Sequence, residues 1–505
     1  MRTWVPFWAL ISLRPRFRCP NRWSYRLTKN LTFAAALLVG SASFAQDEPL
    51  SAIDWLSQPT QTPFQQVNPT DLEEPVATSV DVQSVTVTSL DQMAENHAGL
   101  MPLDVAGLPM GLWDTADDAA ALALMADIPT QLLPAARDLF LRVLLAKAPA
   151  SVDVVNARVD ALLRFGAVQP AFSILEEVPP TDAGGFSRFF DAALLTWQVS
   201  SACRLLQDNP ALSTKAATKI YCTARIGDWD TAVLQYFTHD VLGDIPRPVN
   251  QLLGGFLEPG LAEELELPDV NAKAITPLEF RLRESVGSAV PTTGLSLGFV
   301  ATDLQPAAGW RAQVEAAERL TAAGALPAEN LLDIYTLGKA AASGGVWERV
   351  RLTTAFRNAL SEGDKTAMGS VLPALWAQAD GPRLRLAYAE LFAEDLRFIS
   401  FDNKNVEAIR HRMLALQSSE DTDRKLLALA KGTDMGRAIT LAFQENVSPR
   451  PVTATAILQT LSLVSDAQQG DVNALQLALL GLRSLGFEVE AKRLATQYLV
   501  LVAKL

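Results

Sequence analysis

The sequence predicts an all-α protein in which helical hairpins stack one against the next, an α/α solenoid. Two observations support this fold class. Stretches with the 3.6-residue periodicity of amphipathic helices follow one another from Asp114 to the end of the chain, and short loops join them. One turn spacing also recurs, in which a Gly ends an apolar helix and an Ala five residues later lies in the next. Stacked hairpins fit these features better than any fold that contains a sheet.

The recurring turn is clearest in three places. Each has a Gly where a left-handed residue ends a helix, and an Ala small enough to let two helices approach closely. These residues are Gly166 with Ala171, Gly227 with Trp229 and Ala232, and Gly486 with Ala491. The spacing resembles the Gly-Asp-Tyr-x-x-Ala core of tetratricopeptide-type repeats, which implies a helical-repeat fold. The resemblance covers the turn only, and unrelated helix pairs with tight turns can share it.

The chain begins with the layout of a secretory signal peptide. Residues 1–30 carry seven basic residues and no acidic one, and an apolar run follows at 31–40. Small residues then suit cleavage after Ala45, and the apolar run is too short to span a bilayer. We therefore expect residues 1–45 to be a signal peptide with an over-extended start. The mature protein is expected to be periplasmic, soluble and without a membrane span.

Composition divides the rest of the chain into four parts. Residues 46–108 are polar, proline-bearing and without periodicity, so we expect a flexible tether. Residues 109–266 are predicted to form a first half of helical repeats. Residues 267–306 hold four Pro and three Gly, which favours an irregular linker with a single helix at 277–285. Residues 307–505 are predicted to form the second half.

The clearest single helix of the first half lies within residues 130–147. Leu139, Phe140 and Val143 share its predicted buried face, whereas Arg137 lies on the opposite, polar face. This pattern is typical of a helix that packs on one side and faces solvent on the other.

Two cysteines, Cys203 and Cys222, remain after signal cleavage. In an oxidising compartment two cysteines usually pair. A turn at Pro210 separates two antiparallel helices, with Ser213 as the expected N-cap of the second, and this places the cysteines at matching heights. We therefore predict a disulfide. The alternative is a pair of buried free thiols.

The net charge limits the kinds of partner. Cleavage removes seven of 43 basic residues and none of 56 acidic ones, which leaves 36 against 56, a formal net charge of −20. A surface this acidic repels phosphate backbones and anionic lipids. We therefore exclude nucleic-acid binding and electrostatic docking on membranes. We expect a protein or peptide partner in the cell envelope, which the sequence does not identify.

Residues that could carry catalysis are few. Residues 294–298 match Gly-x-Ser-x-Gly, in which Ser296 would be a nucleophile, but this motif needs a buried strand before it. Glu284 with Ser285 resembles the Glu-Ser pair of lytic transglycosylases, in which the Glu is a general acid. We favour the simpler interpretations, which are a chance glycine turn for the first match and a solvated helix end for the second. The three histidines lack metal-ligand spacing, and phosphate-loop and dinucleotide motifs are missing, so we predict no catalytic residue, metal or cofactor.

Several stretches together are similar to an alphaproteobacterial family of exported proteins labelled "antifreeze glycopeptide related". They are residues 51–57, 209–213 with the flanking cysteines, 227–229, 309–320 and 342–347. The label implies Ala-Ala-Thr arrays, of which residues 216–218 are an isolated instance. The resemblance implies export and supplies no functional residues.

Our leading hypothesis is a non-catalytic, exported scaffold. It would bind a protein or peptide in the concave face of the stacked hairpins, because the turn repeats and no catalytic constellation accompanies it. The alternative is a cell-wall or ester hydrolase that uses Glu284 or Ser296.

Overall fold

The computed structural model of the chain describes residues 98–113, 118–262, 265–381, 383–418 and 424–503. The predicted signal peptide and the tether before residue 98 lie outside these residues. The described residues belong to one compact unit that spans 88–505. Their regular elements are helices, and the one β-type contact among them is an isolated bridge between Met101 and Ala146. The predicted all-α class is therefore confirmed for the described part of the chain.

Short connections join the helices, and most consecutive helices pack as neighbours. In chain order the helices are α1 Leu103–Ala106, α2 Asp118–Asp127, α3 Pro134–Leu145, α4 Val152–Arg164, α5 Val168–Glu177, α6 Ala183–Leu195, α7 Val199–Asp208, α8 Ala216–Arg225, α9 Trp229–Leu242, α10 Val249–Leu257, α11 Pro259–Ala262, α12 Pro277–Ser285, α13 Leu297–Val300, α14 Trp310–Ala322, α15 Ala328–Tyr335, α16 Gly345–Glu362, α17 Lys365–Gln378, α18 Arg385–Leu396, α19 Lys404–Gln417, α20 Arg424–Ala430, α21 Asp434–Gln444, α22 Ala454–Gln468, α23 Val472–Ser484 and α24 Glu488–Gln497. Short 3-10 turns lie at Pro210–Leu212, Thr292–Gly294 and Ala301–Leu304, and a π turn, Tyr498–Val502, follows α24.

The three predicted turns share one backbone geometry. Their glycines are left-handed: Gly166 with φ 80°, Gly227 with φ 101° and Gly486 with φ 84°. The residue after each Gly donates its backbone N–H to the carbonyl oxygen five positions earlier, at 2.8 to 3.1 Å. This bond is the Schellman closure of a helix end. The alanines that follow, Ala171, Ala232 and Ala491, are each 0% exposed.

Helix α3 lies where the start and the end of the helical array meet. It packs against α4 and also against α22 and α24, while α2 packs against α22. Ten of its 12 residues are buried, and Arg137 is one of them. The prediction of a solvent face at Arg137 was wrong, because the turn after α14 covers this side chain and the Ala322 carbonyl oxygen accepts a hydrogen bond from it at 3.2 Å. The described array therefore closes on itself instead of leaving a free hairpin at each end.

The segment 98–108, predicted as the end of the tether, is packed onto the helices. Arg158 on α4 is 0% exposed and donates hydrogen bonds to the carbonyl oxygens of Ala98 (2.9 Å), Leu144 (2.7 Å) and Ala146 (2.7 Å). Burial lowers the pKa of its guanidinium to about 10. The tether prediction was wrong for this segment, because Leu100 and Met101 donate backbone hydrogen bonds to the Leu145 carbonyl oxygen and Arg158 binds the Ala98 carbonyl oxygen.

The stretch 267–306, predicted as a linker between two halves, is instead part of the core. Its helix, α12, has the predicted bounds. Phe299 packs in a buried cluster with Val168 of the first half. Val300 packs in a second cluster with Leu320 of the second half. The Pro and Gly residues thus mark short turns between buried segments, and they do not mark a domain boundary.

Candidate functional site

Helices α7, α8 and α9 form a unit around the predicted cysteine pair. The Sγ atoms of Cys203 and Cys222 lie 2.07 Å apart, at disulfide distance, and both side chains are buried. Pro210 begins a 3-10 turn between the two helices. The prediction of Ser213 as an N-cap was wrong, because α8 begins later and the Ser213 hydroxyl accepts the backbone N–H of Lys215, at 3.2 Å.

The turn from α8 into α9 orients the start of α9. The Asp228 carboxylate caps α9 by accepting a backbone N–H of its first turn, at 3.3 Å. The Trp229 ring lies 5.4 Å from the ring of Phe256 and stays 40% exposed. Ala232 is buried where α9 packs against α8. One face of α9 is therefore covered, and the opposite face is open to solvent.

A line of apolar side chains runs along the solvent-facing side of α9. Leu234 is 69% exposed, Phe237 50% and Val241 87%, and their i, i+3, i+7 spacing aligns them along the helix. We name these three residues the α9 stripe. Of the 17 large apolar side chains exposed in the described part of the chain, six lie between Ile226 and Leu242. Scattered exposed apolar residues are ordinary, but a concentration of this kind marks an interaction surface.

Carboxylates border the α9 stripe. Asp230 precedes it on the same face and Asp240 lies beside it, whereas Asp244 follows the end of α9 and contacts His239 on the other side of the helix. All three side chains are exposed. Between residues 225 and 247 the sequence contains four Asp and two Arg, and the two Arg are the first and last residues of this segment. The surface is therefore apolar at its centre and negative at its rim.

Neighbouring side chains hold two of these carboxylates in place. His239 Nδ1 lies 2.8 Å from Asp244 Oδ2. Asn250 Nδ2 on α10 donates a hydrogen bond to Asp240 Oδ1 at 2.6 Å. A rim held in this way is preorganised to meet positive charge.

The two residues considered for hydrolysis lie in ordinary surroundings. Glu284 Oε2 accepts a hydrogen bond from Arg281 Nη1 at 2.6 Å, and the Arg281 guanidinium lies 3.7 Å from the centre of the Trp197 ring. Ser296 directly precedes α13, and the segment before it is the 3-10 turn Thr292–Gly294. A nucleophile elbow requires a buried strand at that place, and the described residues around Ser296 provide none.

A buried polar network that sequence analysis missed joins α14, α15 and α16. Glu318 is 4% exposed, and its carboxylate accepts hydrogen bonds from Tyr335 Oη and Arg349 Nε, each at 2.7 Å, and from Arg349 Nη2. Burial raises the pKa of the Tyr335 hydroxyl well above its usual range. Because the Glu318 charge is paired and closed off from solvent, the network holds helices together. No local sequence signal marks it, since its members lie on separate helices.

A second charged cluster lies where α3 meets the last helices. Asp138 lies 3.2 Å from Arg137 and 3.8 Å from Arg493. The side chain of Glu390 on α18 keeps solvent-accessible surface, but the protein around it desolvates its carboxylate. This desolvation and the negative charges of Asp138 and Glu329 raise the pKa of Glu390, whereas the positive charges of Arg137 and Arg493 lower it. The net result is a pKa of about 7.

An open groove of about 410 Å³ runs between α22 and α23 beside the loop at 445–450. Its lining mixes apolar side chains such as Leu463 and Leu477 with polar ones such as Gln459. It contains no His or Cys. Across the described residues, no three His, Cys, Asp or Glu side chains are placed to hold a metal ion.

Comparison of the chain with known protein families, curated proteins and solved structures found no match. Within the described residues, every helix is too short or too polar to cross a membrane. The α9 stripe with its acidic rim is therefore the candidate functional site on geometric grounds alone.

Proposed function

We propose that this protein is a non-catalytic, exported scaffold that binds a protein partner in the cell envelope, and that the α9 stripe is the contact surface. The observation that carries the proposal is the exposure of Leu234, Phe237 and Val241 in one line on a helix whose other face is buried. A stacked-hairpin fold suits this role, because each added hairpin supplies another exposed helix face.

Export is the second part of the proposal. The signal-like N-terminus and a cysteine pair at disulfide distance support a periplasmic location, because disulfides persist in oxidising compartments. The resemblance of residues 51–57 and 309–320 to an exported alphaproteobacterial family, which is an expectation from the sequence, points the same way. Fusion of alkaline phosphatase to the C-terminus tests this part, with activity in intact cells as the expected result and an inactive fusion as the contrary one.

Site-specific photo-crosslinking tests the binding function. A photoreactive amino acid at position 234 is expected to yield a discrete adduct with an envelope protein. The matched control is position 337, because Leu337 is 67% exposed and Leu234 is 69% exposed. Equal adducts from both positions, or none from 234, would refute the proposed surface.

The hydrolase alternative makes a different prediction. Glu284 is bound to Arg281, and Ser296 lacks the strand of a nucleophile elbow, so no observation favours it. If Ser296→Ala or Glu284→Gln abolished labelling of the protein by an activity probe, the hydrolase alternative would be favoured over the scaffold.

A further inference from the structure

We infer that the partner presents a basic amphipathic helix to the α9 stripe. This inference rests on the proposed function and specifies the chemistry of the partner. It follows from three features of the site: its length, its shape and the sign of the charge around it.

The length of the stripe matches two helical turns. Leu234 and Val241 are seven positions apart, which corresponds to about 10 Å along a helix axis at 1.5 Å per residue. Phe237 lies between them on the same face. A ridge of this kind fits the groove between side chains of a second helix. The axes of the two helices would then lie about 8–10 Å apart. Apolar side chains at i, i+3, i+4 and i+7 of the partner would cover it.

The rim determines the sign of the partner's charge. Asp230 and Asp240 border the stripe, and Asp228 and Asp244 lie at the two ends of the same helix. Arg225 and Arg247 are exposed cations next to this segment, and the four carboxylates outnumber them. His239 is in contact with Asp244. Lys or Arg beside the apolar face of the partner would therefore meet Asp230 at the start of the stripe and Asp240 along one side, whereas Asp or Glu there would be repelled.

The same charge argument disfavours two other occupants. Residues 46–97 of this chain include the apolar segment around Trp55, but they contain nine acidic residues and no Lys or Arg. A second copy of the chain would bring the same Asp residues to the interface. Both would place like charges across the rim, which weakens association.

A pair of synthetic amphipathic peptides tests the inference on the whole exported protein. Both peptides have the same Leu face, and the polar face is Lys in one and Glu in the other. We expect the Lys peptide to bind at least about tenfold more tightly than the Glu peptide at low salt, with the difference shrinking as salt is added. We expect Leu234→Gln to weaken the Lys peptide about tenfold, as removal of a central apolar anchor does. Leu337→Gln is the matched control and should leave binding unchanged.

The charge requirement has its own variant. Asp230→Asn/Asp240→Asn/Asp244→Asn should weaken the Lys peptide and flatten its salt dependence, whereas Asp395→Asn, an exposed Asp on α18, should do neither. Equal binding of both peptides with loss in Leu234→Gln would overturn the basic-helix inference and leave the proposed function standing. If Leu234→Gln left binding of the Lys peptide unchanged, charge attraction alone would account for the binding. That result would also overturn the inference.

Two further measurements decide between occupants. Dimerisation by sedimentation that disappears in Leu234→Gln would assign the stripe to a second copy. Faster hydrogen exchange of α9 in Trp55→Ser would assign it to the chain's own N-terminal segment. Either result would overturn the inference. A protein that is monomeric in sedimentation, and whose α9 exchanges hydrogen at the same rate in Trp55→Ser as in the parent, supports it.

Discussion

Arg137 Nη1 on α3 donates a hydrogen bond to the carbonyl oxygen of Ala322, 3.2 Å away and 185 residues later in the chain. Ala322 ends α14, and Gly324 follows it in a left-handed turn with φ 73°. A Cβ at position 324 would lie 2.5 Å from Arg137 Cζ. The contact between α3 and this turn therefore requires Gly at that position.

We expect Gly324→Ala to be strongly destabilising. The left-handed backbone costs a non-Gly residue about 1 kcal/mol, and displacement of the buried Arg137 side chain adds about 1–2 kcal/mol for the lost hydrogen bond. The control is Gly287→Ala, because Gly287 has φ 78° but no atom within 4 Å of the added Cβ. Urea unfolding midpoints give the comparison, and equal losses in the two variants would contradict the proposed packing.

Two hairpin turns have a non-Gly residue at the left-handed position, Trp197 with φ 62° and Arg383 with φ 61°. We expect Arg383→Gly to raise stability by about 1 kcal/mol, because Arg383 is exposed and Gly removes the strain. Trp197→Gly should lower stability instead, because the Trp197 ring covers the Arg281 guanidinium. That contact contributes about 1–2 kcal/mol where it is shielded from water. Opposite signs in thermal melts are the expected result, and a stabilised Trp197→Gly would contradict it.

Glu390 predicts a pH dependence of stability. Its pKa is raised from 4.5 to about 7 in the folded protein, so the folded state holds this proton more tightly than the unfolded chain does. Stability should therefore rise as the pH falls from 8 through about 7 toward 5. Asp191, whose burial raises its pKa to about 6, contributes in the same direction.

Glu390→Gln removes the titrating charge and should raise stability at pH 8 by about 1 kcal/mol, since solvent screening limits the effect at an exposed carboxylate. At pH 5 the variant and the parent should melt alike. Glu394→Gln on the same helix is the control, because Glu394 is 73% exposed and pairs with Arg397. A destabilised Glu390→Gln at pH 8 would show that the pairing with Arg137 and Arg493 outweighs desolvation.

The cysteine pair gives a fourth prediction. Cys203 and Cys222 are 19 positions apart, and a crosslink over a loop of this length stabilises by about 3 kcal/mol in the loop-entropy account. Reductant should lower the unfolding midpoint of the parent and leave Cys203→Ala/Cys222→Ala unchanged. Two free thiols in the native exported protein, measured by mass spectrometry, would contradict the disulfide.

Local features of the fold were accessible from the sequence. The glycine turns at 166, 227 and 486 and the bounds of α12 follow from short-range rules, because backbone conformation and N-terminal Pro act within a few residues. Long-range features were not accessible. The polar appearance of Arg137 gave no sign that the turn after α14 covers it, since the periodicity of one helix does not show which distant segment packs on it.

The candidate site was only partly accessible for the same reason. Leu234, Phe237 and Val241 show helical spacing in the sequence, but Ala232 and Tyr236 supply a second apolar face on the same helix. Periodicity reveals two faces and not which one is buried. The structure decides this, because α9 packs against α8 through Ala232 and leaves the stripe outside.

The contact of α2 and α3 with α22 and α24 also bears on how the unit unfolds. In open repeat arrays the outermost repeats fray first, and dedicated polar caps protect them. Here the outermost described helices shield each other, so neither edge can peel away without exposing the other. Loss of structure should then spread as one cooperative event across the array, and not proceed repeat by repeat from an end.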